Sequence, residues 1–242
     1  AMDQSYQPAW PFTNGWFNTI AANFWRSTGR PVAYQRSFVP THDADTLAID
    51  TAAAGSSWAL LMVHGLEGNS YSAYMQGMAR AAHAIGADAI SMNLRGCGGH
   101  QPTQPATYHS GKTEDLAAVV EHLQQQQTYR RVGLVGFSLG GNLVLKYAGE
   151  QGSQLSPLIG AVSAMGMPYD LARTAEAIDR PRNWLFKQHF LRSLKQRAIR
   201  MKARWPELPY SAEAIRGVRS LWAFDDVFTA PMNGFANASA YY

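Results

Sequence analysis

The chain has 242 residues, 46% of them hydrophobic, enough for one large or two small domains around a buried core. Its 21 Lys/Arg against 17 Asp/Glu leave a net charge of +4, and a single cysteine, Cys97, excludes an internal disulfide and any cysteine-cluster metal site. No stretch approaches roughly 18 consecutive apolar residues, and the start lacks a charged segment leading into an apolar one, so the composition predicts a soluble protein of a reducing, cytoplasmic compartment.

Residues 1–30 carry Trp10, Phe12, Trp16, Phe17, Phe24 and Trp25 without periodicity, which predicts an arm packed over the domain that follows. Ala1 before Met2 reads as an expression remnant. From residue 31 to 168 the pattern is that of alternating strands and helices. Short alternating runs at 32–38 and 46–50 flank the polar turn 41–45 and predict two strands. The apolar run 58–63 ends at His64-Gly65 and has the profile of a strand buried on both faces. Helical spacing at 71–85 stops at Gly86, and a strand at 87–94 leads into Arg95-Gly-Cys-Gly-Gly99. Then come a helix at 112–127, a strand at 131–137, a helix at 140–149 and a strand at 158–164. This repetition implies βαβ units and a mostly parallel sheet with helices on both faces.

From 169 to 220 strands disappear, and leucines and aromatics recur at helical intervals, most clearly over 184–204. This predicts a helical insertion over the C-terminal edge of the sheet. Between Asp170 and Ser220 stand 12 Lys/Arg and 5 Asp/Glu, so the excess positive charge is concentrated there. Such a segment could face anionic lipid, although a charge run is ordinarily a solvated helix face. No nucleic-acid motif accompanies it. Residues 221–242 would begin the return to the core.

The chemistry centres on Gly136-Phe137-Ser138-Leu139-Gly140. A G-x-S-x-G pentapeptide alone is weak, but this one directly follows an apolar strand and directly precedes a helix, the setting a nucleophile elbow needs. A serine on so sharp a turn crowds its neighbours two positions away unless they lack side chains, and Gly136 and Gly140 meet that need. Ser138 would then sit at a helix N-terminus, where free N–H groups favour developing negative charge. His64-Gly65-Leu66-Glu67-Gly68 occupies the earlier strand-to-helix corner that supplies the second oxyanion donor in acyl transfer. The backbone N–H groups of Leu66 and Leu139 are the predicted pair. His64 reads as a structural histidine, Arg95 as a brace between loops and Cys97 as a small packing residue. No phosphate-cradling or dinucleotide-binding pattern and no metal-ligand spacing occur, so no cofactor and no metal are expected.

With these residues in view the chain resembles the α/β-hydrolase superfamily, and within it the YheT-like group of predicted esterases that includes plant embryogenesis-associated proteins and mammalian membrane-anchored relatives. The resemblance rests on His64-Gly-Leu-Glu-Gly68, Asn93-Leu-Arg-Gly-Cys-Gly-Gly99, Tyr108-His-Ser-Gly111, Gly136-Phe-Ser-Leu-Gly-Gly-Asn142 and Phe224-Asp225 with Thr229-Ala-Pro231, in that order. It implies a carboxylic-ester hydrolase with Ser138 as nucleophile and a small-molecule ester, short-chain or acyl-lipid, as substrate; the alternatives are a non-catalytic binding or interaction protein and a thioesterase or peptidase on the same scaffold, which the elbow does not distinguish. It also implies that two further strands follow the point matching Tyr241-Tyr242, bearing the triad acid and then the histidine. No triad acid or histidine is therefore expected within this chain, and neither His189 nor the Asp225-Asp226 pair is assigned to those places. The strand at 158–164 would then be an unpaired apolar edge, open to homodimer formation.

Overall fold

A computed structural model describes residues 7–10, 12–15, 17–19, 21 and 29–242. Trp16, Phe24, Trp25 and the first two residues, on which part of the arm prediction rests, lie outside the described residues. The chain divides into two compact units, Ala1–Pro31 and Val32–Tyr242, and everything below concerns the second.

Six strands form one sheet: β1 (Gln35–Pro40), β2 (Thr46–Ala52), β3 (Trp58–Val63), β4 (Asp88–Met92), β5 (Arg131–Phe137) and β6 (Ile159–Met165), in the spatial order β1-β2-β4-β3-β5-β6. β4, β3, β5 and β6 run parallel, as the βαβ alternation predicts, and β1 and β2 add antiparallel at one side. β1 begins three residues later than the alternation suggests, because the Val32 N–H donates to Gln76 Oε1 (2.6 Å) instead of to a strand. Its outer position accommodates Pro40, which has no N–H for a ladder.

Side chains alternate between two apolar layers, as a pleated strand requires. Leu61, Val63, Ile90, Met92 and Leu134 point to one face, where α2 (Glu114–Gln126) supplies Leu116, Val119 and Leu123 and α3 (Leu139–Gln151) supplies Leu143, Val144 and Tyr147. Met62, Ala89 and Val135 point to the other, where α1 (Ala73–Ala84) supplies Met75, Ala79 and Ala82. The helix α1 stops at Gly86, whose φ of +73° is cheap only for glycine.

Beyond β6 the chain is helical. α4 (Leu171–Asp179) is capped by Asp170, whose side chain accepts from the Arg173 N–H (2.9 Å), and α5 (Trp184–Arg204) runs for 21 residues. Short helices α6 (Ala212–Gly217) and α7 (Leu221–Phe224) follow, then a wide turn over Asp225–Thr229 and a last turn, α8 (Ala238–Tyr241). Residues 221–242 thus form helical turns interrupted at 233–237, and Leu221, Phe224 and Phe228 join Leu191, Leu194, Ala198 and Ile215 in one apolar cluster. β6 ends the sheet, with Gly160, Ala161, Ser163 and Met165 exposed. The edge expected there is present among the described residues.

Candidate active site

Ser138 lies between β5 and α3, with φ +51° and ψ −120°. A non-glycine residue held at such angles carries about 1–3 kcal/mol of strain, which the surroundings must impose. They do so by hydrogen bonds: the Ser138 N–H donates to Met165 O (2.8 Å), and Ser138 O accepts from the Gly141 and Asn142 amides (2.8 and 3.3 Å). Gly136 is crowded by its neighbours across the turn, as the spacing suggests, whereas Gly140 is crowded by the end of β3. A Cβ on Gly136 would come within 2.6 Å of Gly141 Cα, and one on Gly140 within 2.6 Å of His64 O. At Gly65, a Cβ would approach Ser138 Cβ at 3.1 Å, which places the 64–68 corner against the serine.

That corner is fixed from several sides. His64 is fully buried; its Nδ1 bonds Gly65 O (2.7 Å) and its Nε2 accepts from the Leu94 N–H (3.0 Å), which assigns the proton to Nδ1. Burial pushes its pKa down to about 4, so the ring is neutral and structural. The Gly65 N–H donates to Tyr74 Oη (3.0 Å) and the Glu67 N–H to Tyr108 Oη (2.9 Å). Between them the Leu66 N–H finds no acceptor among the described residues. Leu139, first residue of α3, carries one of the N–H groups that a helix leaves without an internal acceptor.

Ser138, Leu66 and Leu139 line one cleft of about 130 Å³, roofed by the helical layer through Leu171, Ile178, Phe190 and Leu221. The Ser138 side chain is exposed to it, and no described histidine or carboxylate hydrogen-bonds its Oγ. His189 stands exposed on α5. Asp225 accepts from Thr229 Oγ1 (2.5 Å) and Tyr242 Oη (2.6 Å), and Asp226 accepts from the Ala238 N–H (2.7 Å), so both carboxylates hold helical turns together. Burial raises the pKa of Asp225.

The other sequence-derived residues fall into place. Arg95 pairs with Asp115 through two hydrogen bonds (2.7 and 2.8 Å) and reaches Asp43 and Asp45, bracing its own loop against the 41–45 turn and the first turn of α2. Cys97 is buried, and burial pushes its thiol up to about 12, so it stays protonated and packs. Among the described residues no group of three His, Cys, Asp or Glu side chains is placed to hold a metal, and no helix is long and apolar enough to cross a membrane. Sequence reasoning passed over Arg197, which lines the cleft from α5. A signal was available: it falls at helical spacing between Leu194 and Met201, a cation on the apolar stripe.

Residues 59–204 match the family described as alpha/beta hydrolase fold. A protein of Escherichia coli (strain K12) named "Putative esterase YheT" is 31% identical over 235 residues, covering 96% of this chain and 68% of its own length. Mouse "Phospholipase ABHD3" is 28% identical over 221 residues, 88% of this chain and 53% of its own. "Monoacylglycerol lipase" of Saccharomyces cerevisiae is 27% identical over 193 residues, 76% of this chain and 42% of its own. The chain therefore spans 68% of the bacterial relative's length and 53% and 42% of the other two. Among solved structures, the Pyrococcus furiosus esterase Pf2001 superposes with a TM-score of 0.53 at 20% identity, covering 62% of this chain and 57% of that one, a likeness of fold. Sheet order, elbow and these matches together make the chain a member of the α/β-hydrolase family and, within it, of the YheT-like group.

Proposed function

We propose that this chain is the nucleophile-bearing part of a serine-dependent carboxylic-ester hydrolase. Ser138 Oγ attacks the ester carbonyl, and the Leu66 and Leu139 N–H groups receive the oxyanion. One observation carries the reading: a serine held at positive φ on a helix N-terminus, beside an uncommitted amide and facing a mainly apolar cleft. The lining favours esters with an apolar acyl group, in keeping with relatives named esterase, phospholipase and monoacylglycerol lipase. The serine proton must pass to a base as the carbon–oxygen bond forms, and no described side chain accepts it from Oγ. This chain by itself therefore turns over slowly, at the residual level of a serine with an oxyanion site and no base.

That same missing contact favours one second reading, a non-catalytic binding protein on the hydrolase scaffold. Hydrolysis of a series of p-nitrophenyl esters by the intact gene product and by its Ser138→Ala variant separates the two. The hydrolase reading requires turnover that the variant loses. Equal rates with and without the hydroxyl would leave only the binding role. The exposed edge of β6 is where a second copy would pair, and sedimentation showing monomer alone at high concentration would exclude that association.

A further inference from the structure

The corner carrying Leu66 is tied to the helical layer through a group of buried side chains that the reaction does not consume. Glu67, next to Leu66, has φ +55°, a left-handed conformation that a glutamate adopts only under constraint. The constraint is Tyr108: its hydroxyl accepts from the Glu67 N–H (2.9 Å) and donates to Glu67 Oε1 (2.7 Å), closing a ring around that one residue. Arg197 then locks Tyr108 and Glu67 together. Its guanidinium lies 4.3 Å over the Tyr108 ring, and its Nη1 donates to Thr107 Oγ1 (2.6 Å). Its Nε stands 2.9 Å from Glu67 Oε1, an ion-pair contact without hydrogen-bond alignment, since Nε has no hydrogen-bond partner. Arg197 is only 6% exposed and Tyr108 3%, so these contacts are made away from water, where they are strong and geometrically demanding.

With Tyr74 holding the Gly65 N–H on the other side, the peptides before and after the Leu66 amide are both pinned, and the Leu66 N–H, on a residue that lines the cleft, has no acceptor among the described residues. We infer that Tyr108, Glu67 and Arg197 act as a positioning clamp for the oxyanion donor at Leu66. Through it, helix α5 sets the aim of a donor that belongs to the sheet. None of the three needs to touch the reacting atoms. The inference rests on the reading of Ser138 as nucleophile, and it assigns a catalytic consequence to residues of the helical layer.

The test is the kinetics of Ser138 phosphylation by a fluorophosphonate, whose phosphoryl oxygen needs the same donors, in the intact gene product. Rates would be measured for the unsubstituted protein, Tyr108→Phe, Glu67→Gln, Arg197→Met and Arg197→Lys. The clamp predicts that Tyr108→Phe and Glu67→Gln lower kinact about tenfold or more with KI nearly unchanged, the loss expected for a misaimed oxyanion donor. Arg197→Lys should recover part of what Arg197→Met loses. A purely structural role would lower the thermal midpoint and leave kinact per folded molecule as it was. Unchanged kinact in Tyr108→Phe and Glu67→Gln, with the unsubstituted protein labelled at Ser138, overturns the clamp alone. An unsubstituted protein that does not label at Ser138 overturns the nucleophile reading, and the clamp with it. If Arg197→Met fails to fold, Tyr108→Phe still decides, since it removes one oxygen.

Discussion

Replacing His64 with glutamine should remove a defined part of the acid sensitivity of the fold. In the folded chain the ring is enclosed, donates from Nδ1 and accepts at Nε2, and burial lowers its pKa from 6.5 to about 4. The sign follows from proton counting. Below pH 6.5 the unfolded chain binds a proton here that the folded chain refuses until about pH 4. The His64 contribution is therefore complete above pH 6.5, shrinks as the pH falls, and is exhausted below about pH 4. At 1.36 kcal/mol per pH unit the loss is ~2 kcal/mol by pH 5 and ~3 kcal/mol by pH 4. Urea unfolding of the unsubstituted protein and of His64→Gln at pH 7.5 and 5 measures it. His109, whose burial also lowers its pKa to about 4, is present in both proteins and cancels in the comparison. The unsubstituted protein should lose ~2 kcal/mol more than the variant between these pH values. Parallel losses would refute the argument, as would a His64 resonance that titrates near pH 6.5 in the folded protein.

Four further outcomes follow from the same structure. Ser138→Gly should stabilise the fold by ~1 kcal/mol or more, because glycine relieves the positive φ, while abolishing reaction at this position; chemical denaturation reads the first effect and labelling the second. Gly140→Ala should cost ~3 kcal/mol, since its Cβ would strike the Val63 and His64 carbonyls and backbone gives way poorly. Arg95→Met, which leaves Asp115 and Asp45 buried without their cation, should cost ~3–5 kcal/mol in unfolding free energy. Asp170→Ala, which removes the cap of α4, should cost only ~1 kcal/mol by the same measurement.

The elements that bury one residue type on both faces were the most legible in the sequence. β3 and β5 fall where the continuous apolar runs placed them, and α5 spans the residues its leucine spacing marked. β1 was read less well because an exposed outer strand has little apolar pattern, and its start is decided by a side chain of α1 forty-four residues away. At the site, local geometry was readable and long-range geometry was not. The demand for Gly136 arises against Gly140 and Gly141, so it survives in the sequence, whereas the demand for Gly140 comes from the Val63 and His64 carbonyls of another strand. The contact of Arg197 with Glu67 and Tyr108 joins segments about ninety to 130 residues apart, and only the fold brings them together. Likewise Tyr241 Oη bonds both the amide and the hydroxyl of Ser110 across 131 residues, a link no spacing rule contains.

Mass-spectrometric mapping of a fluorophosphonate adduct on this chain and on the intact gene product tests the role of Ser138 directly. A single adduct is expected on the peptide carrying Ser138, absent in Ser138→Ala and slow to form in this chain, whose described residues offer the serine no base. An adduct on any other residue, or none on Ser138 in either form, would contradict that role.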